Sequence, residues 1–508
     1  MILSAGGGAV AGQDVAALPL LLLAVPLLGT LAVTASPQRL VRLVGVGVAA
    51  ATFGLSLALL GAYDVSAGMV QQRVDLRWIP ALGVRFQLGV DGISLPLVVL
   101  TTLLTLLCAV YTLHTLPAPG RPRAFLALLL LSEVGMLGTF LALDLLVFFV
   151  FFEVVLIPMY FLIGTWGGPR RRYASAKFLL YTLLGSAIML LGLLGIDAAA
   201  GTLDMVSLTA RAGAGIGSRT QTLCFVALLL GFGVKAPMWP LHTWLPDAHT
   251  EAPTVASVLL AGVLLKMGTY GLVRIALPML PSGARAVAPW LGVLAVVGIV
   301  YGSLCCLAQR DLKRLIAYSS VGHMGFVLLG IATLTSVGIN AALFANVAHG
   351  VITGLLFFLV GFLKERYGTS DLDDIGGGLA VKAPTLSGLF TFAAVASLGL
   401  PGLAGFWGEM LAMLGAFRPA PTLSRPLFLT LMVLAGVGTV LAAAYLLLLL
   451  RRLTTGTVTS RWREVRYADV GAVELAVVTP LVVLTVALGL YPRLVFGFTD
   501  LAVHRLLG

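Results

Sequence analysis

Apolar windows of about 20 residues recur along the whole chain, and they limit most strongly what it can fold into. A helix needs about 20 apolar residues to cross a hydrocarbon core of about 30 Å. Because backbone polar groups find no partner in lipid, such segments must be helical. Charged residues make up only 10% of the 508 residues, against about 25% in soluble domains. The sequence therefore predicts an all-α, polytopic membrane protein.

About fourteen windows are predicted, and Gly and Pro interrupt the seventh and the twelfth. No basic stretch precedes the first window, which favours a first span over a cleaved signal peptide. A polar insertion separates windows two and three, and a basic connector precedes the last window. The windows are 16–35, 41–62, 91–114, 123–141, 144–165, 174–196, 222–245, 252–276, 288–307, 313–334, 338–362, 383–415, 427–450 and 470–491, with the insertion at 63–90 and the connector at 453–469.

Lysine and arginine are distributed unevenly between the predicted loops. When each loop is numbered by the window before it, the odd loops hold nineteen basic residues and the even loops hold nine. Cytoplasmic loops of membrane proteins are rich in Lys and Arg. We therefore expect the odd loops in the cytoplasm and both termini on the outer side. The same rule accounts for the net charge of +11, so no nucleic-acid partner is predicted.

Windows four to eight and nine to thirteen form two sets of five. Since five is odd, the second set enters the membrane from the opposite side, which predicts two inverted five-helix repeats. The fourth window of each set is the interrupted one. One contains Lys235 beside Pro237, and the other contains GLPGLAGFWGE at Gly399–Glu409. Broken segments at matching places of inverted halves mark ion sites near the membrane midplane. The predicted units are helices 1–3 in 1–122, the first repeat in 123–276, the second repeat in 288–450, and the connector with helix 14 in 451–508.

Four ionisable residues fall deep inside predicted spans: Glu153, Lys235, Lys266 and Glu409. Each ionised group there costs about 2.5–3.5 kcal/mol on insertion scales. One interpretation is that Glu153 and Lys235 form a buried pair that only holds helices together, or that all these charges are structural. Such a pair is often no more stable than apolar packing. The other interpretation is a lateral proton relay, because the pKa of a buried lysine shifts readily.

Two histidines, His323 and His349, lie in windows ten and eleven. A lone histidine in an apolar helix is more often a polar residue with satisfied hydrogen bonds than a relay. Two of them between Lys266 and Glu409 in chain order favour the relay, since imidazole both gives and accepts a proton near pH 7. Weaker candidates for the same pathway are Glu133 and His242.

The polar residues between the prolines that follow Lys235 resemble metal ligands by composition. Their setting fits better with satisfying the freed backbone of a broken helix, so no metal site is predicted. The four cysteines lie in apolar runs without ligand spacing, and no cofactor-binding motif is present. Asp91 and Asp144 are predicted to cap helices. The possible ligands considered are His242, Asp247, His249 and Glu251.

Four runs resemble the antiporter-like membrane subunits of respiratory complex I, the proton-pumping NADH:quinone oxidoreductase. The runs are ALDLLVFFVFFEVVLIPMYFLIGTWG, GFGVKAPMWPLHTWLPDAHTEAPT, DLKRLIAYSSVGHMGF and LPGLAGFWGEM, and the resemblance covers about residues 90–450. The large subunits of multisubunit Na+/H+ antiporters and of membrane-bound hydrogenases are also similar. The resemblance implies a fourteen-helix core with two inverted repeats and no redox centre in this chain.

The resemblance also implies roles for single residues. Glu153 and Lys235 match the ion pair of these subunits, and Lys266 matches their central lysine. Glu409 stands where the L- and N-type chains and the antiporter subunits have Lys, while the M-type chain (the mitochondrial subunit-4 type) has Glu. His323 and His349 also match the M-type.

The implied function is proton translocation in a bacterial plasma membrane, beside L- and N-type chains and membrane lipid. Flavin, iron–sulfur clusters and quinone are expected in partner subunits, and no cofactor is expected in this chain. The alternative is a subunit of a multisubunit Na+/H+ antiporter or of a membrane-bound hydrogenase.

Overall fold

A computed structural model of the chain describes residues 17–465 and 468–507. Two sequence predictions fall outside these residues, namely the start of the first window at residue 16 and the placement of Arg466 in the connector. The predicted all-α membrane architecture is confirmed, with one small sheet added. Twelve helices in the described ranges are long and apolar enough to span a membrane. Many leucines and valines on their outer faces are exposed, as expected where lipid is the solvent.

The N-terminal half contains the first helices and the sheet. In chain order its elements are α1 (Ala17–Ala35), α2 (Val41–Ala62), β1 (Gln71–Ile79), β2 (Val84–Val90), α3 (Leu95–His114), α4 (Pro122–Leu141), α5 (Leu145–Val154), α6 (Leu156–Trp166), α7 (Arg171–Ala200), α8 (Met205–Arg211), α9 (Ser218–Lys235) and α10 (Trp244–Glu251).

The next segment includes two π-helical turns, Leu260–Leu264 and Leu272–Ala276. The remaining elements are α11 (Thr254–Leu259), α12 (Leu265–Gly271), α13 (Leu277–Met279), α14 (Pro281–Leu307), α15 (Leu312–Ala332), α16 (Ser336–Tyr367), α17 (Leu372–Ile375), α18 (Leu379–Lys382), α19 (Pro384–Ser397), α20 (Gly405–Phe417), α21 (Arg425–Thr454), α22 (Ser460–Arg463), α23 (Ala472–Leu490) and α24 (Arg493–Leu507).

Both predicted interruptions are present. The first separates α9 from α10, and the second separates α19 from α20. The other predicted windows match the twelve long spans to within a few residues at most ends. The count of fourteen crossings stays a prediction, because the two interrupted segments are not among those twelve.

The ends of the helices carry the residues that local chemistry favours. Pro122 opens α4, where its missing N–H would have no helical partner anyway. Gly201 and Gly368 follow α7 and α16 with φ of +70°, a left-handed conformation that closes a helix at little cost for glycine. Asp144 accepts hydrogen bonds from two amides of the first turn of α5, which confirms its predicted capping role.

The polar insertion after α2 is a β-hairpin rather than an irregular loop. Strands β1 and β2 pair antiparallel, and Gly83 allows the turn with φ of +66°. The hairpin also pairs with the chain beyond α4, through an isolated bridge between Leu88 and Ala142. The alternating apolar residues of β2 are the sequence signal for this strand. They are Val84, Phe86, Leu88 and Val90.

Contacts between loops sort them into two groups. Hydrogen bonds and ion pairs link odd loops to other odd loops, and even loops to other even loops. The odd-loop contacts are Arg123 to Ser36 O, Trp166 Nε1 to Gly120 O, and Arg170 to Glu251; the even-loop contacts are Leu143 N to Gln87 O and Ala420 N to Thr333 O. This grouping agrees with the alternating topology on which the charge asymmetry was counted.

Two isolated backbone bridges repeat one arrangement at opposite ends of the bundle. Asp144 pairs with Asp204, and Asp311 pairs with Asp371. The same number of residues separates the partners in both pairs, and each aspartate caps the helix that follows it. Two matching bridges, one between even loops and one between odd loops, favour the inverted repeat. The repeat boundaries stay a prediction.

Asp469 lies in the basic connector and holds the start of α19. Its carboxylate accepts hydrogen bonds from the amides of Thr385 at 2.8 Å and Leu386 at 3.1 Å. Partial burial raises the pKa of this carboxyl, but the amide bonds outweigh burial and hold the pKa below its ordinary value. An anion at this helix N-terminus is also stabilised by the helix dipole.

The segment Thr254–Met279 and helix α16 form the centre of the bundle. Both are almost wholly enclosed by other helices. They approach each other closely at Gly262 and Gly350, because a Cβ at Gly350 would lie 2.8 Å from Gly262 O. Small residues allow such approach between membrane helices. This pair of elements carries Lys266 and His349.

Candidate functional site

Glu153 lies at a junction between two helices near the middle of the Leu145–Trp166 span. Helix α5 ends at Val154 and α6 begins at Leu156. The cause is Pro158, which has no N–H for the carbonyl four residues earlier and crowds the preceding turn. Glu153 Oε1 is buried and has no hydrogen-bond partner. An acid is thus held beside a weakened helical turn inside the membrane.

Lys235 is the last residue of α9, where the segment breaks. The break frees backbone carbonyls, and two of them find new donors. Met238 N donates to Gly233 O at 2.8 Å, and Trp244 Nε1 donates to Val234 O at 2.9 Å. These bonds fix the end of the helix and with it the position of the lysine.

The Lys235 ammonium points toward α5. It is 1% exposed, has no hydrogen-bond partner and lies 4.5 Å from the centroid of the Phe152 ring. Phe152 precedes Glu153, so the two charges lie in neighbouring elements. The predicted pair is not a closed ion pair, because Lys235 Nζ and Glu153 Oε1 both lack partners.

Lys266 lies in α12 directly after the first π-helical turn. Turns of this kind are frequent at functional sites. The buried Nζ donates to Ala261 O and lies 2.7 Å from His349 Nδ1. When Lys266 is protonated, Nδ1 must accept, so the proton of a neutral His349 sits on Nε2.

Glycine brings α12 against the broken end of α9. A Cβ at Gly268 would lie 2.5 Å from Phe232 O and 2.8 Å from Ala236 N. Any larger residue would push α12 away from the break beside Lys235. Lys266 and Lys235 therefore belong to one packed unit, although no described hydrogen bond joins them.

The two predicted histidines form one cluster with Glu409. His323 Nδ1 lies 2.7 Å from Glu409 Oε1, and His323 Nε2 lies 3.0 Å from Ser397 Oγ. The His323 and His349 rings are 5.7 Å apart between centroids, edge to face. Lys266, His349, His323 and Glu409 thus follow one another in space, with the two histidines in the reverse of the chain order in which the relay was predicted.

A cavity of about 30 Å³ lies between His323, His349, Glu409 and the helices around them. This volume is about that of one water molecule, and imidazole and carboxylate groups line it. Helices α16 and α20 meet closely beside it, since a Cβ at Gly408 would lie 2.6 Å from that of Ala345. This approach holds the histidines and the acid around a common space.

Glu409 lies just beyond the second interruption. Gly399 and Gly402 have φ of +83° and +93°, conformations that side chains rarely adopt, so glycine is needed there. Ala404 N, freed by the break, donates to Thr485 O at 3.0 Å. A Cβ at Gly399 would lie 3.6 Å from Glu409 Oε2, so the carboxylate faces the break itself.

The weaker candidates lie apart from this cluster. Glu133 is fully enclosed, and neither of its oxygens has a hydrogen-bond partner. The ring nitrogens of His242 and His249 also have none. His242 lies beside Tyr301, and His249 stacks on Phe357 with 4.6 Å between centroids. The expectation that these histidines satisfy the freed backbone is therefore wrong; their rings make aromatic contacts, and their ring nitrogens have no hydrogen bonds in the described structure.

The acids of the same segment join α10 to neighbouring helices. Asp247 accepts from Lys177 Nζ at 2.7 Å, and Glu251 accepts from the amide of Arg170 at 2.9 Å. The Arg170 Nε also lies 3.7 Å from Glu251 Oε1, so both acids have a charged partner, which supports a structural role rather than metal binding.

Sequence reasoning missed a buried ion pair. Arg274 was counted as a loop residue, but it is 1% exposed and its Nε lies 2.6 Å from Asp91 Oδ2. Asp91 also accepts from the amides of Ile93 and Ser94, in the turn before α3. The N-cap of α3 is Ser94, so Asp91 holds the turn and pairs with Arg274 rather than serving as the predicted cap. The signal was the position of Arg274 inside the predicted window 252–276.

One set of possible metal ligands occurs in the described residues, formed by His114, Glu365 and Glu474. Arg366 donates to both oxygens of Glu474, each at 2.7 Å, and Tyr111 donates to Glu365. Carboxylates already held by a guanidinium and a phenol have little capacity left for a cation. We assign no metal to this set.

The family match and the curated relatives of this chain agree with one another. Residues 142–441 match the family described as NADH:quinone oxidoreductase/Mrp antiporter, TM. The chain is 42% identical to NADH-quinone oxidoreductase subunit M of Rhodobacter capsulatus, over 89% of this chain and 86% of the relative. It is 38% identical to subunit M of Rickettsia prowazekii, over 90% of each chain. It is 42% identical to a chain 4 of NAD(P)H-quinone oxidoreductase from Synechococcus, over 93% and 89%.

Solved structures share the fold. A chain of respiratory complex I from Thermus thermophilus superposes with a TM-score of 0.86 at 32% identity, covering 96% of this chain and all of that one. A chain of the Mrp complex from Dietzia gives a TM-score of 0.81 at 24% identity, over 97% and 99%. The second likeness concerns the fold alone.

Proposed function

The chain belongs to the NADH:quinone oxidoreductase/Mrp antiporter transmembrane family, among subunits M and chains 4, and we propose that it carries protons across its membrane through a relay of buried side chains. The driving reaction is the oxidation of NADH by quinone in partner subunits. Flavin, iron–sulfur clusters and quinone belong to those partners. The L- and N-type chains are its neighbours in a bacterial plasma membrane, and both termini lie outside.

The observation that carries this proposal is the succession of adjacent side chains from Lys266 through His349 and His323 to Glu409. Consecutive members are 2.7 Å, 5.7 Å (between ring centroids) and 2.7 Å apart. Only the middle distance, between His349 and His323, is longer than a hydrogen bond. The cavity beside these two rings has the volume of about one water molecule. Each member can bind and release a proton, and imidazole does so near pH 7.

Glu153 and Lys235 act at the other end of this succession. The two charges are close but not closed into an ion pair, so a change in one alters the affinity of the other for protons. Gly268 couples the position of Lys235 to α12 and hence to Lys266. Loss of the proton from Lys235 removes a positive charge near Lys266, which favours reprotonation there. In this scheme Glu153 modulates Lys235, and Lys235 exchanges with Lys266.

A second candidate is ion exchange driven by a sodium gradient, because the family also contains Mrp antiporter chains of the same fold. Glu409 disfavours it. This residue stands where resemblance to antiporter subunits implies lysine, and here the carboxylate is bonded to His323.

Replacement of Glu409 by Gln in the complete membrane complex tests the proposal. Glutamine keeps the size of the side chain and can still accept from His323, but it cannot bind and release a proton. We expect an assembled complex whose proton translocation, measured in proteoliposomes during NADH oxidation, falls at least about tenfold. The exposed Glu464→Gln variant is the charge-matched control and should pump normally. Normal pumping by Glu409→Gln would make the buried charges structural.

The same vesicles distinguish the two candidate functions. Sodium release that accompanies proton uptake without NADH, together with a complex that lacks flavin and iron–sulfur subunits, would establish the antiporter instead.

A further inference from the structure

A basic cavity lies between the start of α4 and the turn that joins α6 to α7. Its volume is about 400 Å³, and Arg121, Arg171 and Arg172 line it together with Gly164 and Thr165. No acidic residue is among its lining residues. Three arginines therefore line a space large enough for a phosphate with its substituents.

The backbone adds to this positive charge. Helix α4 begins at Pro122 and α7 begins at Arg171, and neither has an acidic residue in its first turn. The amides of a first helical turn are unsatisfied, and the helix dipole places partial positive charge there. Anions bind readily at such ends. Two long helices present them to the same cavity.

The arginines of the cavity remain available. Arg170, which directly precedes Arg171, is bound elsewhere: its backbone amide and its guanidinium both contact the Glu251 carboxylate. Arg171 gives one Nη1 bond of 3.3 Å to Gly167 O and keeps its other donors. Among the described residues, no ion pair includes Arg121 or Arg172. Arginine forms bidentate hydrogen bonds with phosphate, and this gives both strength and direction.

An exposed apolar face of α6 leads into the cavity. Ile157 is 60% exposed and Phe161 is 48% exposed. They lie eight and four residues before Thr165, so all three share one face at about 6 Å per step. A free phosphate would leave this apolar face uncovered. The acyl chains of a phospholipid would cover Ile157 and Phe161 while its headgroup reaches the arginines.

We propose that this cavity binds the phosphate headgroup of an anionic phospholipid, whose acyl chains lie along the Ile157–Phe161 face of α6. The bound lipid would hold the start of α4 to the start of α7. Basic pockets between membrane helices are known to bind anionic headgroups. Nothing in this site depends on proton transfer by the buried relay.

Photolabelling of the complete complex tests the proposal. The probe is phosphatidylglycerol with a diazirine on one acyl chain, incorporated into proteoliposomes and mapped by mass spectrometry of peptides. We expect labelling of the segment 157–165, and at least about a fivefold loss of it in the Arg121→Gln/Arg172→Gln variant. The control Arg451→Gln/Arg463→Gln removes the same charge from exposed connector positions and should keep the label.

Three outcomes overturn the proposal. Equal labelling by the matching phosphatidylcholine probe would mean that lipid merely surrounds the helix. Unchanged labelling in Arg121→Gln/Arg172→Gln would mean that the arginines do not select the headgroup. Loss of the label in the presence of inorganic phosphate would mean that the cavity takes a free anion. Assembly and NADH oxidation by the variant complex show that a lost label does not reflect misfolding.

Discussion

His349 Nδ1 lies 2.7 Å from Lys266 Nζ, although the two residues are 83 positions apart in the chain. The contact joins the two most enclosed elements of the bundle, α12 and α16. It gives the buried ammonium an acceptor that is itself able to take a proton. The His349 Nε2 has no described partner, and the His323 ring lies beyond it. A proton arriving on Lys266 thus has a titratable neighbour at hydrogen-bond distance, and the His323 ring lies next to that neighbour.

Replacement of Lys266 by Arg tests whether this residue acts through its positive charge or through its ability to release a proton. Arginine stays protonated at any physiological pH, so the variant keeps a cation beside His349 but cannot pass a proton to it. We expect the complex to assemble and proton translocation in proteoliposomes to fall at least about tenfold. Lys364→Arg, outside the cluster, is the matched control. Undiminished pumping by Lys266→Arg would show that only the charge of this residue matters.

The positions of the membrane segments and of their breaks were predictable because each depends on local sequence. Apolar length defines a span, and proline or glycine interrupts it. The same reasoning found Lys235 and Glu409, since a charge in an apolar run is visible without a structure. The order of the two histidines was not predictable in this way, because His349 follows His323 in the chain but lies next to Lys266 in space.

Contacts across the bundle were not predictable in the same way. Nothing local shows that Arg274 turns inward to Asp91, which lies 183 positions earlier, or that Lys235 faces Phe152 without closing on Glu153. Such contacts depend on how helices pack, and close packing depends on glycines such as Gly268 whose partners are distant in sequence. The β-hairpin, by contrast, had a local signal in the alternation of β2.

Replacement of Pro158 by Ala should repair the helix beside Glu153. Alanine restores an N–H that can donate to the carbonyl of Val154, and it removes the crowding by the proline ring. We expect slower hydrogen–deuterium exchange over residues 153–162 of the intact complex, measured by mass spectrometry. Pro480→Ala serves as the control, because α23 runs without interruption through that proline. Unchanged exchange in Pro158→Ala would assign the junction to tertiary packing instead.

The Asp91–Arg274 pair is a structural element and should behave differently from the relay. Arg274→Met leaves a buried carboxylate without its cation, and breaking such a pair costs about 3–5 kcal/mol. Asp91→Asn/Arg274→Met removes both charges, and the side-chain oxygen of the introduced asparagine can still accept from the amides of Ile93 and Ser94. We therefore expect the single Arg274→Met variant to lower the thermal unfolding temperature of the complex more than the double variant does. A double-mutant cycle with Asp91→Asn measures this coupling, and additive effects of the two changes would contradict it.

Proton translocation per NADH should be normal in the fraction of the double variant that assembles, because neither residue contacts Lys266, His349, His323 or Glu409 through a described hydrogen bond or ion pair.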